Sequence, residues 1–263
     1  MNVKILVVSA LCSPFLVACG GGGGGGTSTP APSSGTTPST EAFPTPLPTV
    51  GVTPPSSAGG SLGPAIAIDA AFSALYTTKH FYERTQQDPA TGITYYGVAD
   101  YRPGPDTTIE GGPVKSTSVF RTLRQDGPNG PIVSQSAETQ YFQTGPYKLI
   151  AIQSFANDGS PSGYRVASEQ QNLPTIGYAG QSALFYNAVD YGSAFKQLPL
   201  AKSTNQWEIT ADTQDTLSFC VNSVTVIAFL PGTNSKADCY KVSTVTDTRP
   251  SAVTAVGFVV PKK

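Results

Sequence analysis

The chain has 263 residues, 16 Lys and Arg against 17 Asp and Glu, and a formal charge of −1. Charged residues make up only 13%, about half the globular average of ~25%. Neither a basic nor an acidic excess exists to recruit nucleic acid or an anionic membrane surface. The single histidine and four cysteines leave little material for a metal centre.

Residues 1–18 read as an export signal. Lys4 supplies the positive start, Ile5 to Ala18 form a largely apolar run, and a small residue precedes Cys19. The run is short of the roughly 20 apolar residues that cross a bilayer. It contains Pro14 and leads into glycines with no basic stop-transfer flank, so it reads as a cleaved signal and not as a membrane span. Loss of Lys4 leaves 15 basic residues against 17 acidic ones.

Leu16, Val17, Ala18 and Cys19 resemble the lipobox of bacterial lipoproteins. The resemblance implies diacylglycerol on the Cys19 thiol, cleavage before that residue and acylation of its amine. One acyl chain is a marginal anchor at about 0.8 kcal/mol per methylene, whereas two or three hold firmly. In enterobacterial lipoproteins an aspartate after the cysteine favours the inner membrane. Gly20 stands there, which implies the outer membrane, with the facing side open. The alternative is an ordinary secretory signal beside a chance cysteine.

Residues 19–63 read as the lipidated cysteine plus a linker. Seven consecutive glycines, Gly20 to Gly26, lead into Ser, Thr and Pro with the single charge Glu41. Glycine maximises chain entropy and proline removes donors, so a disordered spacer is expected. It would span roughly 40 Å as a flexible coil and about 130 Å as polyproline. The glycine run lacks the strand, helix and lysine of a phosphate loop. Thr27 to Thr40 resembles segments that bacterial O-glycosylation modifies, the alternative being an unmodified spacer.

Residues 64–263 read as one β-rich domain. Ala67 to Tyr76 predicts a short helix with Ile68, Phe72 and Leu75 on one face. Strands are predicted over Thr78 to Thr85, Ile93 to Tyr101, Ser116 to Leu123, Tyr147 to Phe155, Ala183 to Val189, Gln206 to Asp212, Leu217 to Phe229, Tyr240 to Thr246 and Val253 to Val260. In Gln206 to Asp212 the alternation is strict, with Trp207, Ile209 and Ala211 on one face. Turn clusters at Asp88–Gly92, Asp126–Gly130 and Asn157–Ser160 join antiparallel neighbours. The expected fold is all-β, an antiparallel meander of roughly eight to ten strands forming a barrel, half-barrel or sandwich, with a short N-terminal helix.

Cys220 and Cys239 are most simply a disulfide in an oxidising compartment, against buried thiols or a metal site. Direct hairpin pairing would place the turn near Phe229 and Leu230, whereas the turn formers are Pro231 to Asn234. The bridge is therefore expected to join strands that are not simple hairpin partners.

Chemistry is sparse. His80 sits alone on a strand; Ser182 follows glycines but lacks the Gly-x-Ser-x-Gly pattern, since Leu184 replaces the second glycine. Asp212 and Asp215, and Asn157, Asp158 and Ser160, read as turn residues and not as a carboxylate pair or calcium ligands. Tyr95, Tyr96, Tyr101, Tyr141, Tyr147, Tyr178, Tyr186 and Tyr191 suit core walls or partner contacts. No catalytic, cofactor or metal residue is assigned. The expected protein is a lipid-anchored envelope protein with a non-enzymatic binding or structural domain, its partner a protein, glycan or apolar ligand. A carrier of lipid is the alternative, and a hydrolase using His80 or Ser182 a third.

Overall fold

A computed structural model describes residues 63–110, 112–228, 232–246 and 249–258. The export signal, Cys19 and the linker lie outside the described residues.

Two strands of the chain's start and middle form a small clasp, β1 (Ala65–Ile66) with β9 (Gly177–Tyr178). Helix α1 (Ile68–Thr77) follows β1. Ile68, Ala71, Phe72, Leu75 and Tyr76 are all buried, the i, i+3, i+4, i+7, i+8 stripe of a helix with one packed face. At its end the Thr77 and Thr78 hydroxyls donate back to the carbonyls of Ser73 and Ala74, and the Thr78 amide shares the Ala74 carbonyl, the i−4 back-bonding open to threonine.

The other twelve strands make one antiparallel sheet. They are β2 (His80–Gln87), β3 (Thr94–Pro103), β4 (Thr107–Ile109), β5 (Gly112–Gln125), β6 (Ile132–Gln143), β7 (Lys148–Phe155), β8 (Pro161–Ser168), β10 (Ser182–Tyr191), β11 (Pro199–Ala211), β12 (Thr216–Ile227), β13 (Thr233–Ser243) and β14 (Val253–Val256). The path runs β14-β13-β12-β11-β10-β8-β7-β6-β5-β3-β2, with β4 pairing the start of β5. Its two edges meet, so the sheet is nearly closed into a barrel. Side chains bridge the seam: Tyr82 Oη donates to the Val253 carbonyl at 2.9 Å, and Gln86 Nε2 to that of Phe258 at 3.3 Å. The expected all-β class holds and resolves to the barrel. The expectation of eight to ten strands falls short of these fourteen.

Side chains alternate across the wall. Tyr101, Val119, Phe142, Trp207, Ile209, Leu217, Phe219, Tyr240 and Val242 point inward and are buried. Helix α1 plugs the end of the barrel at which β2 begins. Phe72 meets Phe219 and Tyr240 edge-on at 5.0 Å, and Tyr76 stacks on Tyr147 at 5.3 Å, arrangements that aromatic quadrupoles favour. Hydrogen bonds fix the plug: Asp69 Oδ1 accepts from the Tyr147 amide, Ser251 Oγ from the Ala67 amide, and Thr117 Oγ1 donates to the Tyr76 carbonyl.

Cys220 and Cys239 face each other in register on β12 and β13, with their sulfurs 2.10 Å apart. These strands are simple hairpin partners, which corrects the expectation drawn from Pro231 to Asn234. Pairing runs on to Val226 opposite Thr233, so Thr233 and Asn234 belong to the strand and the reversal falls between them and Ile227.

Candidate functional site

Two concave features stand out, one on each face of the barrel wall. The larger, about 470 Å³, lies on the outside along β5, β6 and the end of β7, and its lining includes Ser118, Phe120, Thr122, Ala137, Thr139 and Phe155. Register explains its character. Phe81 pairs with Asp100, Asp100 with Phe120, Phe120 with Ala137, and Ala137 with Phe155. The five residues form one row across five strands. With strands ~4.8 Å apart, successive phenylalanines in the row stand about 10 Å apart and the outer two about 19 Å. Phe81 is 57% exposed and Phe120 42%.

Between Phe81 and Phe120 sits a charged pair. Asp100 is only 9% exposed, and its Oδ2 accepts from Arg102 Nε at 2.8 Å and Nη2 at 2.5 Å. Its Oδ1 is buried without a partner. The Arg102 guanidinium also lies 5.2 Å from the Phe120 ring centre, within cation–π range.

The second feature is an inner cavity of about 170 Å³ that runs from Phe72 and Tyr76 of helix α1 to a mouth at Thr225 and Lys236. Its floor is aromatic, with Tyr147, Phe185, Tyr186 and Tyr240. Its walls are ionic. Arg121 Nη1 meets Glu138 Oε1 at 2.9 Å, Arg165 forks onto Asp190 at 2.5 and 2.9 Å, and Lys236 meets Asp238 at 2.9 Å. Burial pushes the Glu138 carboxyl up, but Arg121 beside it and the Gln140 amide more than offset this and hold it below the ordinary range. Burial raises the Tyr186 hydroxyl to about 12 and drives those of Tyr147 and Tyr240 well above their ordinary value.

The residues singled out in the sequence fall into different places. His80 Nε2 is engaged by Thr78 Oγ1 at 2.6 Å and the Ala74 carbonyl at 3.3 Å, and its ring stacks on Tyr82. Ser182 opens β10 opposite Glu208. The two are not brought together, since β10 lies in mid-sheet and β2 at an edge. Asp212 accepts from Thr216 Oγ1 and Lys241 Nζ, and Asp158 Oδ1 from the Ser160 amide and hydroxyl, as turn residues do. Tyr95, Tyr101, Tyr147 and Tyr186 are buried; Tyr96, Tyr141, Tyr178 and Tyr191 are half-buried. Among the described residues no cluster of three His, Cys, Asp or Glu could hold a metal ion.

Neither the aromatic row nor the ionic mouth was identified from the sequence. Adjacent apolar residues at Phe81–Tyr82 and Val119–Phe120 were the available signal, because a strand with one packed face should not place bulky apolar groups on both. Comparison with protein-family models, with curated proteins and with solved structures gave no match to this chain.

Proposed function

We propose that the chain is an outer-membrane lipoprotein, acylated at Cys19, whose barrel is a non-enzymatic module that docks a protein partner through the Phe81–Phe120–Phe155 row. Exposed aromatics clustered on a rigid wall carry the reading. Solvent-facing apolar patches mark interaction sites, and aromatic and arginine side chains supply most hot spots. The unpartnered Asp100 Oδ1 adds to it, because an unsatisfied buried acceptor costs about 1–3 kcal/mol and a donor arriving with the partner would recover that.

Attachment by a lipid tether suits the sidedness of the wall. Ser118, Thr122, Thr139 and Ser235 lie on the outer face, where a barrel immersed in lipid carries a continuous apolar band. The carrier reading draws less support, since the inner cavity is walled by Arg121, Glu138, Arg165, Lys236 and Asp238, a charged lining that penalises an apolar ligand. A hydrolase draws less again, with His80 and Ser182 on separate strands.

Two measurements test the proposal. Cells fed an alkynyl palmitate should label the protein, and Cys19→Ala should abolish the label. A photo-crosslinking phenylalanine analogue at Phe120 should yield one discrete protein adduct in cells, and the same group at Ser235 none. An unlabelled protein would remove the anchor; identical crosslinking at both positions would remove the docking row.

A further inference from the structure

The inner mouth is a second site, on the opposite face of the wall from the outer row, and Arg121 and Glu138 line both hollows. We propose that it binds a small zwitterion, a molecule that joins an ammonium group to a carboxylate, as amino acids and betaines do.

The argument begins with an asymmetry. The plugged half of the lumen is filled with Phe72, Trp207, Ile209, Leu217 and Phe219. The open half places three cations, Arg121, Arg165 and Lys236, against three carboxylates, Glu138, Asp190 and Asp238. Ion pairs withdrawn from water add little stability, and well-packed apolar replacements often do better. The charged lining of the open half therefore departs from the apolar packing that fills the plugged half.

The groups retain capacity beyond their mutual pairs. Arg165 uses Nε and Nη2 on Asp190, leaving the Nη1 hydrogens outside that fork. Glu138 Oε1 accepts from both Arg121 and Gln140, so Oε2 takes no part in those bonds. Lys236 meets Oδ2 of Asp238, leaving Oδ1 outside the pair. The lumen therefore offers N–H groups for an anion, and carboxylate oxygens with tyrosine rings for a cation, a combination that suits ammonium groups.

Charge balance narrows the ligand class. The six ionic groups sum to zero, so a lone cation or anion would bring uncompensated charge into a confined space, whereas a zwitterion would not. Size narrows it further. A cavity of about 170 Å³ holds about five or six waters at ~30 Å³ each, and so a solute of similar bulk. Access is graded, from a Glu138 side chain 18% exposed inside to a Lys236 side chain 54% exposed at the rim.

The test is calorimetric titration of the purified full chain with glycine betaine and with L-alanine, using tetramethylammonium chloride and sodium acetate as the single-charge halves. At least one zwitterion should give saturable one-to-one binding, and neither half should at the same concentration. Asp238→Asn and Lys236→Gln, both at the rim, should each weaken it at least about fivefold while the unfolding midpoint stays within that of the parent chain. No binding of either zwitterion up to about 10 mM would overturn the proposal. So would binding equalled by one of the halves, or binding that both rim variants leave unchanged. None of these outcomes bears on the crosslink at Phe120, so the two sites stand or fall separately.

Discussion

Gly97 shows how one residue decides whether the wall can close. It faces inward on β3, and a Cβ built there would overlap the ring of Phe258. That ring packs against the core, and the Phe258 carbonyl accepts from Gln86 across the seam. Gly97→Val should therefore expel Phe258 and loosen the junction of β2 with the C-terminal segment, costing about 1–3 kcal/mol as overpacking does. A lowered urea midpoint, with faster amide exchange confined first to β14, is the expected result; an unchanged midpoint would mean that the ring relocates freely. This pairing was not legible in the sequence, because nothing local links a strand glycine near the start of the domain to a phenylalanine near its end. The buried tyrosines were half legible. Their residue type suited both core and contact, and only register separates inward Tyr95 and Tyr101 from outward Tyr96.

At the scale of elements, strands with one apolar face were legible and strands without one were not. Gln206 to Asp212 announced itself by alternation, and all of it but Asp212 lies within β11. Strands β6 and β8 escaped, and their inward positions explain why. Glu138 and Gln140 on β6 and Arg165 on β8 face the ionic mouth, so polar residues occupy both faces and the period-2 hydrophobic signal vanishes. The flanking turns, Asp126–Gly130 and Asn157–Ser160, were the surviving clue. These two long strands are thus part of the same feature as the missed site, whereas β1, β4 and β9, also missed, have only two or three residues each and are too short to show a period. Stapling of β12 to β13 is a separate matter of chain entropy. The cysteines are 19 residues apart, and a loop of that size contributes about 3 kcal/mol by restricting the unfolded chain. Replacing both by serine should lower the unfolding free energy by that amount with unchanged β circular dichroism in the folded state, since eleven register pairs hold the hairpin without them. A midpoint insensitive to reducing agent in the parent chain would show the staple to be unformed.

For the molecule as a whole, the barrel divides lengthwise into a plugged aromatic half and an open ionic half, and tyrosines span the boundary. Burial raises Tyr76, Tyr147 and Tyr240 well above the ordinary phenol value, and brings Tyr82 and Tyr186 to about 12. Each keeps its proton in the folded chain at a pH where the unfolded chain has released it. Stability from these groups is therefore fully present below about pH 10, the unperturbed phenol pKa, and falls as pH rises beyond it, because the unfolded state then binds fewer protons than the folded one. Glu138 acts at the opposite limit. Its lowered folded pKa makes its contribution present above the unfolded carboxylate value and lost as pH falls through the folded one. The alkaline limb should dominate, since several tyrosines act together. Ultraviolet absorbance should show the exposed fraction of the twelve tyrosines ionising first, and the buried fraction only as β circular dichroism is lost. Smooth ionisation of all twelve with the fold intact would mean that water reaches the floor of the lumen, and the division of the barrel into a dry half and a wet half would then be wrong.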